Sequence, residues 1–316
     1  MLRPAWRRMH QAVHRRTAHL SPTMQGLLWA TAAGVIFSFL NATMRMLGQH
    51  VDPFQSQFLR YLFGLLVLLP LVWHHGLQAY KPKAVVGQFI RGGLHTAGLC
   101  LWFVALPRIT LADMTAIGFT TPLFIMLGAW LFFKEQMRWE RWLATAVGFV
   151  GVMIVVGPKL SLPHGAGPAP GLYHLLMLAS APVFAASFLV TKALTRYETT
   201  GTILVWQALT ISLLSLPLAL AVWQPLSLLQ WSGFALCGLL GSSGHYCLTR
   251  SFKAADISST QSVKFLDLVW SVLLGWALWS DTPSFSTIAG GLLISAATLW
   301  VARRESRASA GMRAAS

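Results

Sequence analysis

The sequence predicts an all-α polytopic membrane protein, with ten transmembrane helices arranged as two inverted five-helix repeats. Three observations carry this. Of 316 residues, 55% are hydrophobic and only 10% charged, whereas a soluble domain carries about 25% charge. Apolar runs of bilayer-spanning length recur along almost the whole chain. Basic residues gather in the short segments between alternate runs, which sets a sidedness.

A membrane helix needs roughly 20 largely apolar residues. Candidate spans run from about Met24 to Leu47, Phe54 to Val72, Ala84 to Val104, Ile109 to Phe133 and Arg141 to Val156. A second set runs from about Gly171 to Val190, Gly201 to Ala221, Trp231 to Thr249, Ile257 to Trp279 and Phe285 to Val301. Lipid cannot satisfy exposed backbone groups, so the runs are helices. A barrel would show short alternating segments instead. Residues 1–23 form a basic segment and 303–316 a basic tail, flanking a first repeat over 24–158, a linker over 159–170 and a second repeat over 171–302. The linker is marked by Pro163, Gly165, Gly167, Pro168 and Pro170.

With the amino terminus in the cytoplasm, nineteen Lys and Arg fall on the inside, including Lys81, Lys83, Arg91, Lys192 and Arg196. Only Arg45, Arg108 and Lys159 fall outside. The positive-inside rule therefore places both termini in the cytoplasm, and a bacterial cytoplasmic (inner) membrane is the expected location. The first 23 residues resemble the basic flank of a signal peptide, but the apolar run after them is long and lacks a small-residue cleavage pattern, so it reads as a retained first helix. Trp73, Trp139, Trp223, Trp231 and Trp300 lie near span ends, as interfacial anchors or packing residues. The net charge of +15 is scattered between apolar runs, which excludes a nucleic-acid footprint. Cys100, Cys237 and Cys247 lie inside apolar runs without metal-ligand spacing.

The halves share weak internal similarity. A shift of 147 aligns Phe37 with Phe184, Arg45 with Lys192, Leu47 with Leu194 and Pro70 with Pro217. A shift of 146 aligns Gly98 with Gly244, Leu127 with Leu273, Trp130 with Trp276 and Glu135 with Asp281. Five spans per repeat put the second copy into the membrane upside down, an arrangement used by secondary transporters.

Polar residues inside spans are the candidate pathway, because each is costly in lipid unless paired or hydrated. Lys264 and Asp267 stand at i,i+3 spacing on the ninth span. They serve either a zwitterionic solute and proton exchange or a structural ion pair. Arg60, with Gln57 one turn earlier, suits a carboxylate or phosphate; neutralising Asp113 or anchoring the helix are the alternatives. Asp113 opens the fourth span ahead of Thr121, either to exchange a proton or as an ordinary helix-start acid. His95 and His245 titrate near neutral pH when exposed, or simply bond across helices. Asn41, Gln207 and Gln261 offer neutral hydrogen bonds to a solute or to neighbouring helices. Pro122 is the expected helix bend, with Pro182 and Pro217 as further interruptions. Gly148, Gly151, Gly290 and Gly291 permit close helix approach.

The stretch FIRGGLHTAGLCLWFVALPRITLADMTAIGFTTPLFIMLGAWLFFKEQMRWERWLATAVGFVGVMIVVGP, Phe89 to Pro158, orders a basic-flanked third helix, an Ala-Leu step, a polar start to the fourth and a Thr-Pro pair. An acidic loop residue and a Gly/Val-rich fifth helix follow. The second half repeats the plan more loosely in Ser251, Phe252, Ala255 to Ser258, Asp281, Gly290 and Gly291. This resembles the drug/metabolite transporter superfamily, and within it the EamA-type transporters, over roughly Met24 to Val301. Asp281 replaces the more usual glutamate and Leu268 stands opposite Pro122, so the halves do not present equivalent side chains. The resemblance implies carriage of a small polar or amphipathic metabolite, and is similar in flavour to the bacterial subgroup that moves S-adenosylmethionine or riboflavin.

The expected function is therefore secondary transport by alternating access. The expected partners are a small-molecule solute and the lipid bilayer, with proton coupling and solute exchange both open. No cofactor, metal or catalytic residue is expected, and no Walker A loop or HExxH motif is present. The other classes weighed are a non-transporting sensor or scaffold and an intramembrane enzyme. The sequence sets no oligomeric state.

Overall fold

The computed structural model describes residues 22–133, 139–160, 170–254 and 266–315. Among them the regular elements are helical: α1 (Pro22–Leu47), α2 (Pro53–His75), α3 (Val85–Ala105), α4 (Leu111–Gly118), α5 (Thr121–Phe133) and α6 (Trp139–Leu160). The chain continues through α7 (Pro170–Leu194), α8 (Thr200–Ala221), α9 (Leu228–Ala254), α10 (Leu266–Trp279) and α11 (Phe285–Ala315). Two residues, Phe119 and Thr120, separate α4 from α5, which together fill one interrupted crossing. The result is an all-α polytopic bundle of about ten helices. On length and composition alone, five described segments suffice to cross a membrane, within α1, α2, α7, α8 and α3 with its adjoining turn. The others fall short for local reasons. α9 is long but diluted by Gly, Ser and His, and α10 contributes only 14 described residues.

Helix starts follow capping chemistry. Asp52 accepts a hydrogen bond from Phe54 N at 2.8 Å, with Pro53 in the first turn of α2. Thr110 Oγ1 accepts from Asp113 N at 3.0 Å at α4, and Thr199 Oγ1 from Thr202 N at 3.1 Å at α8. Gly76 ends α2 with φ +79°, a conformation that favours glycine.

The expected interruption of the fourth span lies at Phe119 and Thr120, immediately before Pro122 in the first turn of α5. Pro182 and Pro217 differ from expectation: α7 and α8 run through them, as α2 runs through Pro70. Neighbouring helices and side chains absorb a lost backbone bond in the middle of a packed membrane helix.

Many polar side chains are buried beside an apolar core, while large apolar side chains cover the outside, where a water-soluble protein would carry polar ones. Arg60, Arg91, His95, Asp113 and His245 are buried, whereas Trp73, Val86, Leu213, Leu236 and Trp276 are exposed. Helices cross between the two halves in reciprocal pairs. α1 packs on α9 as α7 packs on α3, and α2 packs on α9 as α8 packs on α3. The close approaches are glycines, and they exchange in the same way. A Cβ at Gly87 would lie 3.1 Å from Leu194, and one at Gly233 3.1 Å from Leu47. One at Gly98 would meet Phe184 at 3.0 Å, and one at Gly244 would meet Phe37 at 2.7 Å. At the α6–α11 contact, a Cβ at Gly151 would approach Gly290 O to 2.9 Å. Small residues that let backbones meet are the general means of helix association in lipid.

Candidate functional site

The crossing of α1, α2, α3, α7 and α9 encloses a cavity with about 510 Å³ of space unfilled by protein atoms, its opening included. Phe37, Tyr61, Trp102, Phe103, Phe184 and Phe188 supply aromatic walls; Asn41, Arg60, His95 and His245 supply the polar groups. The imidazoles of His95 and His245 are 5.5 Å apart, edge to face. His95 also meets Phe184, and His245 meets Phe37, each at 5.1 Å between ring centroids. None of the described lining residues is acidic.

Behind the cavity runs a chain of oriented hydrogen bonds. Arg91 donates from Nε to Thr191 Oγ1 at 2.5 Å and from Nη2 to Gln207 Oε1 at 2.6 Å. Because Arg91 occupies the Gln207 oxygen, the Gln207 amide donates to His245 Nε2 at 3.2 Å. That contact makes Nε2 the unprotonated nitrogen, a tautomer inferred from the network. Ser187 donates to Arg91 O at 3.4 Å and so accepts from His95 Nδ1 at 3.1 Å. Gln57 sits one layer back, donating to Thr96 O at 3.4 Å and accepting from Cys100 at 3.5 Å. A smaller void, about 260 Å³, adjoins the cavity and shares Arg60, Tyr61 and His245 with it; Gln207 and Ser242 line its far side.

A second polar cluster lies where α4 meets α7 and α11. Asp113 accepts from Thr287 Oγ1 at 2.5 Å, and His174 Nε2 is 3.3 Å from its other oxygen. Nearby, Thr115 and Ser271 hydroxyls are 2.5 Å apart. Asp113 is therefore partnered by His174 and Thr287, and Arg60 is not its counter-ion.

Contacts between the halves close the bundle at both ends. At the end bearing the α1 C-terminus, Arg45 pairs with Asp281 and lies 4.5 Å above the Trp279 ring. Gln55 and the Gln224 backbone exchange two hydrogen bonds there, at 2.9 and 3.1 Å. At the opposite end, Glu198 Oε1 accepts from Lys83 N and Ala84 N at 2.7 and 3.0 Å. The Trp206 indole donates to Tyr80 O across the halves, and within the second half Lys192 Nζ donates to Phe252 O.

The structure thus gathers Asn41, Arg60, His95 and His245 on one cavity and Gln207 beside it, with Gln57 in the supporting layer. Thr121 and Pro122 stand at the helix break, away from the cavity lining. Asp267 lies against Gly34 of α1; Gln261 and Lys264 lie outside the described residues. Arg91 differs from expectation: the sequence places it among inside-facing cations, but it is buried in the second turn of α3. Its signal was the polar pair Ser187 and Thr191 at i,i+4 on α7, which had no role until α3 was placed against it. His174 had no signal, being a lone histidine far in sequence from Asp113. The aromatic walls look like ordinary apolar span residues in sequence.

A helical membrane protein that keeps such polar groups inside, on a void shared by its two halves, is a carrier for small polar or amphipathic metabolites. Each half matches the EamA-like transporter family, over residues 24–157 and 171–303, and the chain belongs to that family. It is a multi-pass protein of the bacterial inner membrane. An S-adenosylmethionine uptake transporter of Rickettsia felis is 29% identical over 294 residues, 92% of this chain and 96% of its own. A riboflavin transporter of Rhizobium johnstonii is 33% identical over 290 residues, 91% and 94% of the two chains. A crystal structure at 20% identity superposes with a TM-score of 0.63, covering 88% of this chain and 98% of its own, which is a likeness of fold.

Proposed function

We propose that the chain is a secondary transporter in which two inverted five-helix repeats alternate the access of the aromatic-walled cavity between the two sides of the membrane. The observation that carries this reading is the cavity itself, built from both halves and flanked at each end by contacts that cross between them. The reciprocal glycine contacts support a two-fold relation between the repeats, and an odd span count makes that relation an inversion. Breaking the contacts of one end while keeping those of the other opens the cavity to one side at a time. A solute drives the exchange only by binding the two forms with different affinity.

The basic bias supports an orientation with both termini in the cytoplasm. The Arg45–Asp281 end then faces outward and the Glu198 end inward. Asp113 with His174 is the candidate for proton exchange, standing apart from the cavity but at the broken helix. S-adenosylmethionine and riboflavin, carried by the relatives, are the first solutes to test. Counterflow of a labelled panel in proteoliposomes, with amino acids and nucleotides added, decides the matter. Saturable uptake accelerated by solute on the far side is expected; flux that neither saturates nor responds to far-side solute from correctly inserted protein rules out the carrier cycle.

A further inference from the structure

Among the described residues Arg60 is the one guanidinium that lines the cavity, and it makes no hydrogen bond or ion pair with them. It is 6% exposed. Its Cζ lies 4.1 Å from the centroid of the neighbouring Tyr61 ring. Its other flank lies on α9, where a Cβ at Gly241 would meet Nη2 at 2.9 Å; glycine there leaves room for the guanidinium. The Tyr61 hydroxyl likewise has no hydrogen-bond partner among the described residues. Arg91, by contrast, is satisfied by Thr191, Gln207 and the Ile203 carbonyl. An unpaired buried cation is costly, and proteins retain one where a charge of opposite sign arrives. The repeat relation sharpens the point. A shift of 147 aligns Arg60 with Gln207. At that position one half keeps a satisfied neutral amide and the other a cation aimed at the void.

We infer that the cavity binds a flat aromatic solute bearing an anionic group, with the ring system between the aromatic walls and the anion on the Arg60 guanidinium. Resting on the transporter reading above, the inference adds a substrate class and a residue that selects it. Phe184 and Phe188 are stacked at 23° with centroids 6.4 Å apart, and Trp102, Phe103 and Phe37 complete the walls. Rings of this kind hold a planar body through offset and edge contacts. Arg60 supplies forked donors that match carboxylate or phosphate geometry. With no acid among the described lining residues, a cation of the same shape meets Arg60 without compensation.

The test uses full-length protein in nanodiscs, with Trp102 as a fluorescence reporter and three probes of similar shape: 2-naphthoate, 2-naphthamide and 2-naphthylmethylammonium. Quenching is checked against a Trp102→Phe variant. Naphthoate is expected to bind more than about tenfold tighter than the amide, with the ammonium weakest. Arg60→Gln should remove the preference for naphthoate while leaving amide affinity within about twofold, and Arg60→Lys should restore part of it. Equal affinity for anion and amide, tighter binding of the ammonium, or an unchanged preference in Arg60→Gln would overturn the inference. If Arg60→Gln does not fold, the three wild-type affinities with Arg60→Lys decide it alone. Failure of the transporter reading is a separate result: naphthoate binds with this selectivity, yet no solute undergoes counterflow.

Discussion

The ring of Phe37 on α1 rests against Gly244 on α9, where a Cβ would come within 2.7 Å of it. Phe184 on α7 holds the same relation to Gly98 on α3. Phe37 and Phe184 also face the cavity, so the packing that joins the halves is the same packing that shapes the site.

Enlarging either glycine should therefore damage both stability and binding. Gly244→Val and Gly98→Val are expected to cost about 1–3 kcal/mol through overpacking, read as a lowered unfolding temperature in detergent. Alanine at Gly93, where nothing lies within 4 Å of the added carbon, should leave it unchanged.

Gln207 holds two groups in place, accepting from Arg91 and donating to His245. Gln207→Leu leaves a buried guanidinium nitrogen without its acceptor, at a cost of about 1.5–3 kcal/mol. Solute affinity should fall as well, since the His245 tautomer is no longer fixed. A variant with unaltered unfolding temperature and affinity would remove Gln207 from the supporting network.

Arg45 and Asp281 join α1 to the loop between α10 and α11. Asp281→Asn should slow counterflow at least severalfold, because the closed form of that end loses its ion pair while Arg45 stays mostly buried. The exchanged pair, Arg45→Asp with Asp281→Arg, should recover part of the rate. No recovery would point to Trp279, which Arg45 also covers, as the important contact.

Asp267 lies against α1 beside Gly34, inside the span region. Asp267→Asn is expected to impair flux more than surface expression, with Lys264→Ala tested in parallel; normal flux in Asp267→Asn would exclude the carboxylate from the transport path.

Orientation is checked by single introduced cysteines. Those near Lys83 should label from the cytoplasmic side and those near Lys159 from the opposite side, and the reverse would invert the topology.

Much of the architecture is legible in the sequence because lipid imposes a length and a polarity on every crossing. The spans expected from about Phe54 and Gly201 begin within one residue of the observed starts of α2 and α8, and the interruption of the fourth span lies beside its Thr-Pro pair. Arg60, His95 and His245 stand out because polar groups in apolar runs are conspicuous. Their assembly into one cavity is not legible, since His95 and His245 are 150 positions apart and meet only through the cross-packing of α3, α7 and α9. Arg91 was misplaced because a cation seven residues into a helix and one at its flank look alike when the facing helix is unknown. Aromatic walls are hidden for the opposite reason: Phe184 and Phe188 have the chemistry of lipid-facing residues, and only their direction distinguishes them.

Arg60, Tyr61 and His245 face the main cavity on one side and the smaller void on the other. The partition is therefore a single layer of side chains, and the room available to a guest depends on their torsion angles as well as on the backbone. Side-chain torsions change with less displacement of neighbours than whole helices, which rearrange over microseconds to milliseconds. Accommodation of guests of unequal size then precedes, and is separable from, any movement of the bundle, so breadth of recognition and speed of turnover can be altered independently.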